Sequence, residues 1–204
     1  MQGLLEGYRQ FRDQNWPSYR RLFENLADFG QSPRALVIGC SDSRVDPQMI
    51  FGAKPGEIFV IRNVANLVPP YAPDANYHGT SAAIEFAVRV LKVPLIVVMG
   101  HGGCGGVRAL LDGLPNLDSE FLSTWVSIAR DAGKEVQDLH LDGEERQRAG
   151  EEACIRLSLD RLRSFPWVAE AVEAGTLELH GSHFDVRTGM LYVLGEDGTF
   201  APVS

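Results

Sequence analysis

The sequence is poor in cysteine and lacks long apolar runs, and each scarcity excludes a class of protein. Its 204 residues include three cysteines, an odd number that argues against a disulfide framework and favours a reducing compartment. No apolar segment reaches the roughly 18 residues that a membrane span requires. Residues 1–7 lack the basic stretch and apolar run of a signal peptide. We therefore expect a cytoplasmic protein that does not enter a membrane.

Positive charge is also scarce. The chain carries 19 Lys and Arg against 27 Asp and Glu, a net charge of -8, and no basic block interrupts the mixture. Nucleic acid is therefore not expected as a partner. The hydrophobic content of 45% is enough for one sizeable domain with a proper core rather than two small ones.

Short apolar runs alternate with helical patterns along the chain, which is typical of an α/β fold. Strand patterns occur at residues 35–39, 57–62, 95–99, 176–180 and 190–194. Helical patterns occur at residues 79–92, 107–111, 121–139 and 144–163. The first three strands are apolar throughout, as in a parallel sheet buried on both faces, and the last reads as an edge strand. We predict a mostly parallel central β-sheet with flanking helices and an antiparallel edge strand, forming a single domain over residues 31–204.

The first thirty residues are predicted to form two helical pieces, divided near Trp16 and Pro17 and ending at Gly30. Their apolar stripe is rich in aromatic residues and lies at the terminus. Two interpretations stay open from the residues alone. The helices either pack on the core of their own chain or form an arm that packs on a second subunit.

Three potential metal ligands follow two of the predicted strands. Cys40 ends the first strand, and His101 and Cys104 come just after the third. Because open α/β sheets bind ligands at the carboxyl ends of their strands, we expect these side chains to meet. Two thiols and an imidazole favour zinc and leave one coordination position free. Asp42 either closes the site as a fourth ligand or forms an ion pair with Arg44.

Other motifs fit these residues less well. Residues 100–105 match G-x-G-x-x-G, but the region about 20 positions later leads into a helix instead of placing an acidic residue after a strand. A phosphatase loop needs five residues between Cys and Arg, and three separate Cys40 from Arg44. Cys40 as a nucleophile with His101 as its base leaves Cys104 unexplained. Zinc therefore remains the favoured interpretation.

Three motifs together resemble the signature of the β-class carbonic anhydrases: CSDSRV at 40–45, RNVAN at 62–66 and GHGGCGG at 100–106. The resemblance runs in order over most of the chain, from about residue 31. It implies Zn²⁺ held by Cys40, His101 and Cys104, with Asp42 and Arg44 as the catalytic dyad. The implied reaction is reversible hydration of carbon dioxide to bicarbonate and a proton by attack of zinc-bound hydroxide. A homodimer or higher even oligomer is also implied, with residues 1–30 reaching over the partner.

Residues 31–33, 67–71 and 79–85 are similar to the plant-type subgroup of that family. This similarity implies a substrate pocket beside the metal. Its residues would be Gln31, Phe59, Val64 and Phe86, with Gly102 and Gly103 near the metal. A Tyr is usual at the position of Phe86. The glycines either allow close packing of the next helix or let backbone amides approach an anion.

The other subgroup binds bicarbonate at a regulatory site through a Trp, an Arg and a Tyr. Here only Arg62 is present, because Val37 and Phe184 occupy the other two positions. We therefore expect no bicarbonate switch. Two further functions use the same ligands: hydrolysis of carbonyl sulfide or carbon disulfide, and a zinc-binding scaffold without activity.

Overall fold

A single six-stranded sheet organises the described part of the chain, residues 1–114 and 118–203 of this computed structural model. The predicted domain ends at Ser204, which lies outside these ranges. The strands are β1 (Ala35–Cys40), β2 (Ile58–Asn63), β3 (Leu95–His101), β4 (Glu178–Phe184), β5 (Leu191–Leu194) and β6 (Phe200–Pro202). Their order across the sheet is β2-β1-β3-β4-β5-β6. The first four are parallel, and β5 and β6 are antiparallel, which confirms the predicted fold class.

One detail of the predicted sheet is wrong. Residues 190–194 are not the edge, because β6 pairs with β5 on its outer side. A strand of three residues ending at Pro202 gives too short a pattern to detect, and proline cannot donate a hydrogen bond to a further strand, which suits it to an edge. The carboxyl-terminal part of the sheet therefore holds two antiparallel strands where the sequence indicated one.

Nine α-helices are present in the described ranges. They are α1 (Gln2–Gln10), α2 (Trp16–Phe29), α3 (Pro47–Ile50), α4 (Gly79–Glu85), α5 (Gly105–Asp112), α6 (Leu122–Ser127), α7 (Arg130–Asp138), α8 (Gly143–Ser164) and α9 (Pro166–Glu173). A π-helical turn, Phe11–Asn15, joins α1 to α2, and another, Phe86–Val90, extends α4. The helix predicted over 121–139 is divided into α6 and α7, and the short α3 and α9 were not predicted. None of these helices is both long and apolar enough to cross a membrane.

The core lies on both faces of the parallel strands. Leu36 and Ile38 of β1 are fully buried in one cluster, whereas Val37 between them belongs to the other. This alternation explains why β1 is apolar at consecutive positions. Helix α8 contributes Cys154 to one cluster and Ile155 to the other. It packs on β3, whose end carries His101, and on β4.

The amino-terminal helices bury none of their residues in the single chain. Neither α1 nor α2 has a buried position, and Leu4 and Tyr8 are 77% and 58% exposed. Pro17 occupies the first turn of α2, and Gly30 ends that helix with a φ of 80°. An amphipathic helix normally buries its apolar face, so this stripe is available to another surface.

Candidate metal centre

The three predicted ligands converge because two neighbouring strands end together. Cys40 is the last residue of β1 and His101 the last residue of β3. These strands are parallel neighbours, with Gly39 opposite Met99. Cys104 then caps the start of α5, just beyond the end of β3. The carboxyl edge of the sheet thus carries the cluster that the sequence predicts.

The geometry of this cluster fits a tetrahedral metal. One ligand atom from each of Cys40, His101 and Cys104 lies within 4.8 Å of the others, and the two Sγ atoms are 3.9 Å apart. Two sulfurs bonded at about 2.3 Å to a tetrahedral zinc would be separated by about 3.8 Å. All three residues are at least 95% buried, with exposures of 5%, 0% and 1%.

The imidazole of His101 is oriented for coordination. Its Nδ1 lies 3.1 Å from the carbonyl oxygen of Gly102, which fits donation from Nδ1. Its Nε2 is buried and has no hydrogen-bond partner among the residues that the structure describes. A metal ligand of this kind uses one ring nitrogen and donates from the other. An unpaired buried nitrogen facing two thiols is therefore explained by a zinc ion, and these residues fit one.

The thiols differ in acidity because they share one buried site. The hydrogen bond from Cys104 is the main reason that the pKa of Cys40 falls to about 4, and His101 adds to it although burial opposes it. The same interaction with Cys40, together with burial, raises the pKa of Cys104 far above its usual range. A first thiolate is thus easily formed and a second is disfavoured. A bound cation removes that penalty, since it compensates the second negative charge.

Asp42 and Arg44 form an ion pair beside the cluster. The Nε and Nη2 of Arg44 lie 2.9 and 2.6 Å from the two carboxylate oxygens of Asp42, and its backbone N–H donates to the same carboxylate. Oδ2 of Asp42 is 3.9 Å from Nε2 of His101. The hydrogen bond from Arg44 is the main cause that lowers the pKa of Asp42 far below its usual range. The carboxylate therefore borders the metal position while both of its oxygens are held by a cation.

Arg62 holds the backbone that carries these groups. Its Nε donates to the carbonyl oxygen of Cys40 at 2.9 Å, and its Nη2 donates to that of Asp42 at 2.7 Å. Its Nη1 also lies 3.3 Å from Oδ2 of Asp46. In the sequence, Arg62 begins the RNVAN motif and occupies one position of the other subgroup's regulatory site. The structure shows that it fixes the turn between Cys40 and the dyad.

The glycines that follow His101 are required by different structural constraints. A Cβ on Gly106 would lie 2.6 Å from Cγ1 of Val64, so close packing explains that position. Gly103 has a φ of +67°, which side chains rarely adopt, and its carbonyl oxygen accepts from Nη2 of Arg44 at 3.1 Å. A Cβ on Gly102 would meet nothing closer than 3.8 Å. Packing therefore accounts for Gly106 and turn geometry for Gly103.

Only part of the predicted pocket lies near the metal cluster. Val64 is close, because it contacts the start of α5 and its carbonyl oxygen accepts from Nε1 of Trp125 at 2.8 Å. Phe59 stacks on Phe86, with ring centroids 5.9 Å apart, but Phe59 is paired with Leu36, four residues before Cys40. That offset places Phe59 about 13 Å along the strands from the ligand.

Gln31 is exposed and lies in the segment that enters β1 from its amino end. This is the edge of the sheet opposite to the metal cluster. Gln31, Phe59 and Phe86 of one chain are therefore not brought to the metal ligands of the same chain.

Sequence reasoning missed two side chains that contact the site from α8. Oε1 of Glu151 accepts the backbone N–H of Cys104 at 2.9 Å, and Nε2 of Gln147 donates to the carbonyl oxygen of Cys104 at 3.0 Å. The helical pattern over 144–163 is rich in charged residues, yet Glu151 is 2% exposed. Cys154 and Ile155, three and four positions later, are also buried and mark that face of the helix as apolar.

Among the other histidines, His183 is buried and lies 2.9 Å from Glu151. His78, His140 and His180 pair locally with neighbours in the sequence. Cys154 is buried in the core, and none of the three cysteines forms a disulfide. None of these side chains completes the ligand set.

Two thiols and one imidazole at the carboxyl ends of parallel strands, with a carboxylate beside the fourth position, are typical of a catalytic zinc site. Structural zinc sites usually have four protein ligands, whereas catalytic sites keep one position for water or substrate. The paired Asp42 leaves three ligands here.

Comparison with known proteins identifies the family. The family profile described as carbonic anhydrase matches residues 35–191. A chloroplastic β carbonic anhydrase of Arabidopsis thaliana is 42% identical over 168 residues, which cover 80% of this chain and 54% of that protein. A carbonic anhydrase of Pseudomonas aeruginosa is 38% identical over 203 residues, covering 95% of this chain and 87% of its relative. The chain thus spans about half the length of the plant relative and most of the bacterial one.

Solved structures of β-carbonic anhydrases share the fold of this chain. The β-carbonic anhydrase CcaA superposes with a TM-score of 0.93 at 35% identity, covering all of this chain and 92% of that one. A structure described as a tetrameric β-carbonic anhydrase of Sordaria macrospora has a TM-score of 0.82 at 32% identity, with coverage of 100% and 98%. The chain belongs to the β-class carbonic anhydrases, a family of zinc enzymes that interconvert carbon dioxide and bicarbonate. The predicted family, enzyme class and cofactor are thereby confirmed.

Proposed function

We propose that this chain hydrates carbon dioxide reversibly to bicarbonate and a proton, with Cys40, His101 and Cys104 holding the zinc. The observation that carries the proposal is the unpaired Nε2 of His101, buried between two thiols and 3.9 Å from the carboxylate of Asp42. When bound, zinc supplies a Lewis acid that lowers the pKa of a coordinated water to about 7. The site thus combines a source of nucleophile with a polar group to orient it.

Asp42 performs the orientation. With zinc held by the three ligands, Oδ2 of Asp42 would accept a hydrogen bond from the reacting water and so turn the water's lone pair towards the carbon of the substrate. Arg44 keeps that carboxylate ionised and fixes both of its oxygens. A group that holds its reactant in one orientation before the reaction lowers the barrier without adding a chemical step.

The fourth position belongs to water and not to Asp42. A carboxylate that accepts two hydrogen bonds from one guanidinium loses both if it turns to a metal. Arg62 is already bound to two backbone carbonyls, while Val37 and Phe184 offer no polar atom to an anion. These contacts support the absence of a bicarbonate switch. A sigmoidal dependence of rate on bicarbonate would contradict it.

We infer that residues 31–204 form one catalytic domain and that the active form is at least a homodimer. The exposed apolar stripe of α1 and α2 supports an arm that packs on a partner. Gln31, Phe59 and Phe86 lie away from the ligands of their own chain, so we assign them to the pocket of the neighbouring subunit. The relative of known tetrameric assembly supports an even oligomer.

A single stopped-flow experiment tests the proposed reaction. Zinc-loaded protein should accelerate carbon dioxide hydration, and a chelator that removes the zinc should abolish the acceleration. The same preparation is assayed with carbonyl sulfide and carbon disulfide. Faster hydrolysis of either sulfur compound would favour the sulfur-hydrolase alternative. Full zinc loading with neither activity would favour the scaffold alternative.

The predicted cytoplasmic location is kept as a proposal supported by three free cysteines. A chloroplastic relative shows that another compartment is used within the family. Fractionation of the native cells locates the protein directly.

A further inference from the structure

A buried carboxyl group lies behind the metal loop, outside the set of ligands and the dyad. Glu151 is on α8, 47 residues after Cys104, and is 2% exposed. Its Oε1 accepts the backbone N–H of Cys104 at 2.9 Å and Nε2 of Gln147 at 2.7 Å. Its Oε2 lies 2.9 Å from Nε2 of His183. Burying a carboxyl group is costly unless it is fully hydrogen-bonded, so these three contacts explain how it is tolerated.

Two side chains of α8 bind one backbone unit of the metal loop. Gln147 and Glu151 are one turn apart on the same face of the helix. Glu151 accepts the N–H of Cys104, and Gln147 donates to the carbonyl oxygen of Cys104. Because Gln147 also donates to Glu151, each side chain holds the other in place. We call these two residues the α8 clamp.

The loop needs such support because it has few side chains of its own. Glycine stands at four of the five positions from 102 to 106, and Gly103 has a left-handed backbone. A glycine-rich segment loses much conformational freedom when it is ordered. The α8 clamp supplies contacts that fix the position of Cys104 without occupying the metal face of its side chain.

We propose that the α8 clamp, and Glu151 above all, positions Cys104 for zinc binding. The inference rests on the proposed ligand set, since it assigns no function to Glu151 if Cys104 does not bind the metal. Removal of groups that orient a metal ligand from behind commonly lowers metal affinity or activity by roughly 10- to 100-fold. Glu151 is therefore a positioning residue and not a catalytic one.

A purely structural role is the competing explanation. The contact with His183 joins α8 to β4, and this contact alone would stabilise the fold without any influence on the metal. The two explanations differ in what they predict for zinc release. A structural contact changes unfolding, whereas a positioning contact changes the rate at which the folded protein loses zinc.

The test measures how fast folded, zinc-loaded variants release zinc to a colorimetric chelator, and compares these rates with that of the wild type. Glu151→Leu removes the acceptor and should release zinc at least about tenfold faster than the wild type. Glu151→Gln keeps an amide oxygen for the N–H of Cys104 and should stay within about threefold of the wild type. Glu152→Leu is the matched control on the same helix, because Glu152 pairs with Arg148 and not with the loop. It should release zinc at the wild-type rate.

A second measurement reports on ligand geometry directly. The visible absorption of the Co²⁺-substituted protein should change in Glu151→Leu and not in Glu152→Leu. Gln147→Leu removes the other half of the α8 clamp at a partly buried position, and should also accelerate zinc release. If Glu151→Leu does not fold, Gln147→Leu decides the question by the same two measurements. Wild-type release and an unchanged spectrum in the folded variants would overturn the inference.

Failure of the inference is distinguishable from failure of the proposed function. If Cys104→Ala retains a full equivalent of zinc, the ligand set itself is wrong. If Cys104→Ala loses its zinc while Glu151→Leu and Gln147→Leu keep theirs as the wild type does, only the role of the α8 clamp is refuted.

Discussion

Arg44 binds both carboxylate oxygens of Asp42, at 2.9 Å through Nε and at 2.6 Å through Nη2. Arginine stays protonated at any pH at which a protein is folded. Its hydrogen bond is the main reason that the pKa of Asp42 is held far below the usual range. The carboxylate beside the metal position is consequently ionised near neutral pH, which suits it to the acceptor role that we propose.

Replacing Asp42 should separate turnover from metal binding. Asp42→Asn keeps the size of the side chain but removes the charged acceptor, so we expect turnover to fall by roughly 100-fold, the lower end of what a positioned acceptor contributes. Zinc content should stay near one per chain, because Asp42 is not a ligand in the proposed site. Stopped-flow hydration and metal analysis of the same sample measure both quantities. Asp160→Asn, an exposed position on α8, is the control, and wild-type turnover in Asp42→Asn would refute the assignment.

The three cysteines should behave differently towards zinc. Cys40→Ala removes a proposed ligand and should lose most of the bound metal. Cys154→Ala removes a buried cysteine of the core and should retain a full equivalent, although it lowers stability. Metal content after desalting, measured by atomic emission, distinguishes the two. Full occupancy in Cys40→Ala would refute the ligand set.

Subunit mixing should test whether the pocket is shared between chains. A Cys40→Ala chain lacks the metal but has intact Phe59 and Phe86, whereas a Phe59→Ala, Phe86→Ala chain has the reverse defects. Each mixed dimer then contains one complete site. With random pairing, about a quarter of wild-type activity should return after the two proteins are unfolded and refolded together.

The control for this experiment is a mixture of Cys40→Ala with Cys104→Ala. Both changes damage the metal ligands of their own chain, so every mixed dimer lacks a complete site and no activity should return. Recovery in this control would point to exchange of metal ligands between chains. Absence of recovery in the first mixture would place the aromatic wall in the same chain as its metal.

Alkaline pH should destabilise the protein partly through Cys154. Burial raises the pKa of this thiol to about 12, above the value of about 8.5 in an unfolded chain. A raised pKa in the folded state stabilises it fully below the unfolded value, and this contribution is lost as pH rises from about 8.5 towards 12. In zinc-loaded protein the free energy of unfolding should therefore decrease by up to about 1.4 kcal/mol per pH unit from this group.

Urea unfolding between pH 8 and pH 11 measures that slope. Cys154→Ala has no thiol at this position, so its dependence on pH should be flatter by the same amount. Equal slopes for the two proteins would show that Cys154 ionises as readily in the folded chain as in the unfolded one.

Much of the site could be predicted because short segments of sequence carry both the strands and the ligands that end them. Cys40 and His101 each come at the end of an apolar run that reads as a buried parallel strand. The carboxyl ends of parallel strands lie at the same end of a sheet, where ligands bind. The chemistry of two thiols and an imidazole then indicates zinc. Neither step requires knowledge of distant contacts, and the structure brings the three residues together as expected.

The missing features depend on contacts between distant segments. Glu151 resembles the other charged residues of α8, and only its position against the metal loop shows why it is buried. The edge strand β6 is too short to produce a pattern and is formed because β5 offers it a partner. The helix predicted over 121–139 is interrupted near Ile128, whose carbonyl oxygen accepts a hydrogen bond from Arg161. Such tertiary hydrogen bonds override local periodicity.

The bond from Arg44 to the carbonyl oxygen of Gly103 joins two segments that lie 59 residues apart in the chain. The Asp42 carboxylate, which we propose orients the attacking water, and the loop that carries Cys104 are therefore joined through one guanidinium. A designer who transferred the three ligands to another scaffold would obtain a metal-binding protein. To obtain an enzyme, the guanidinium and its carbonyl acceptor would have to be transferred with them.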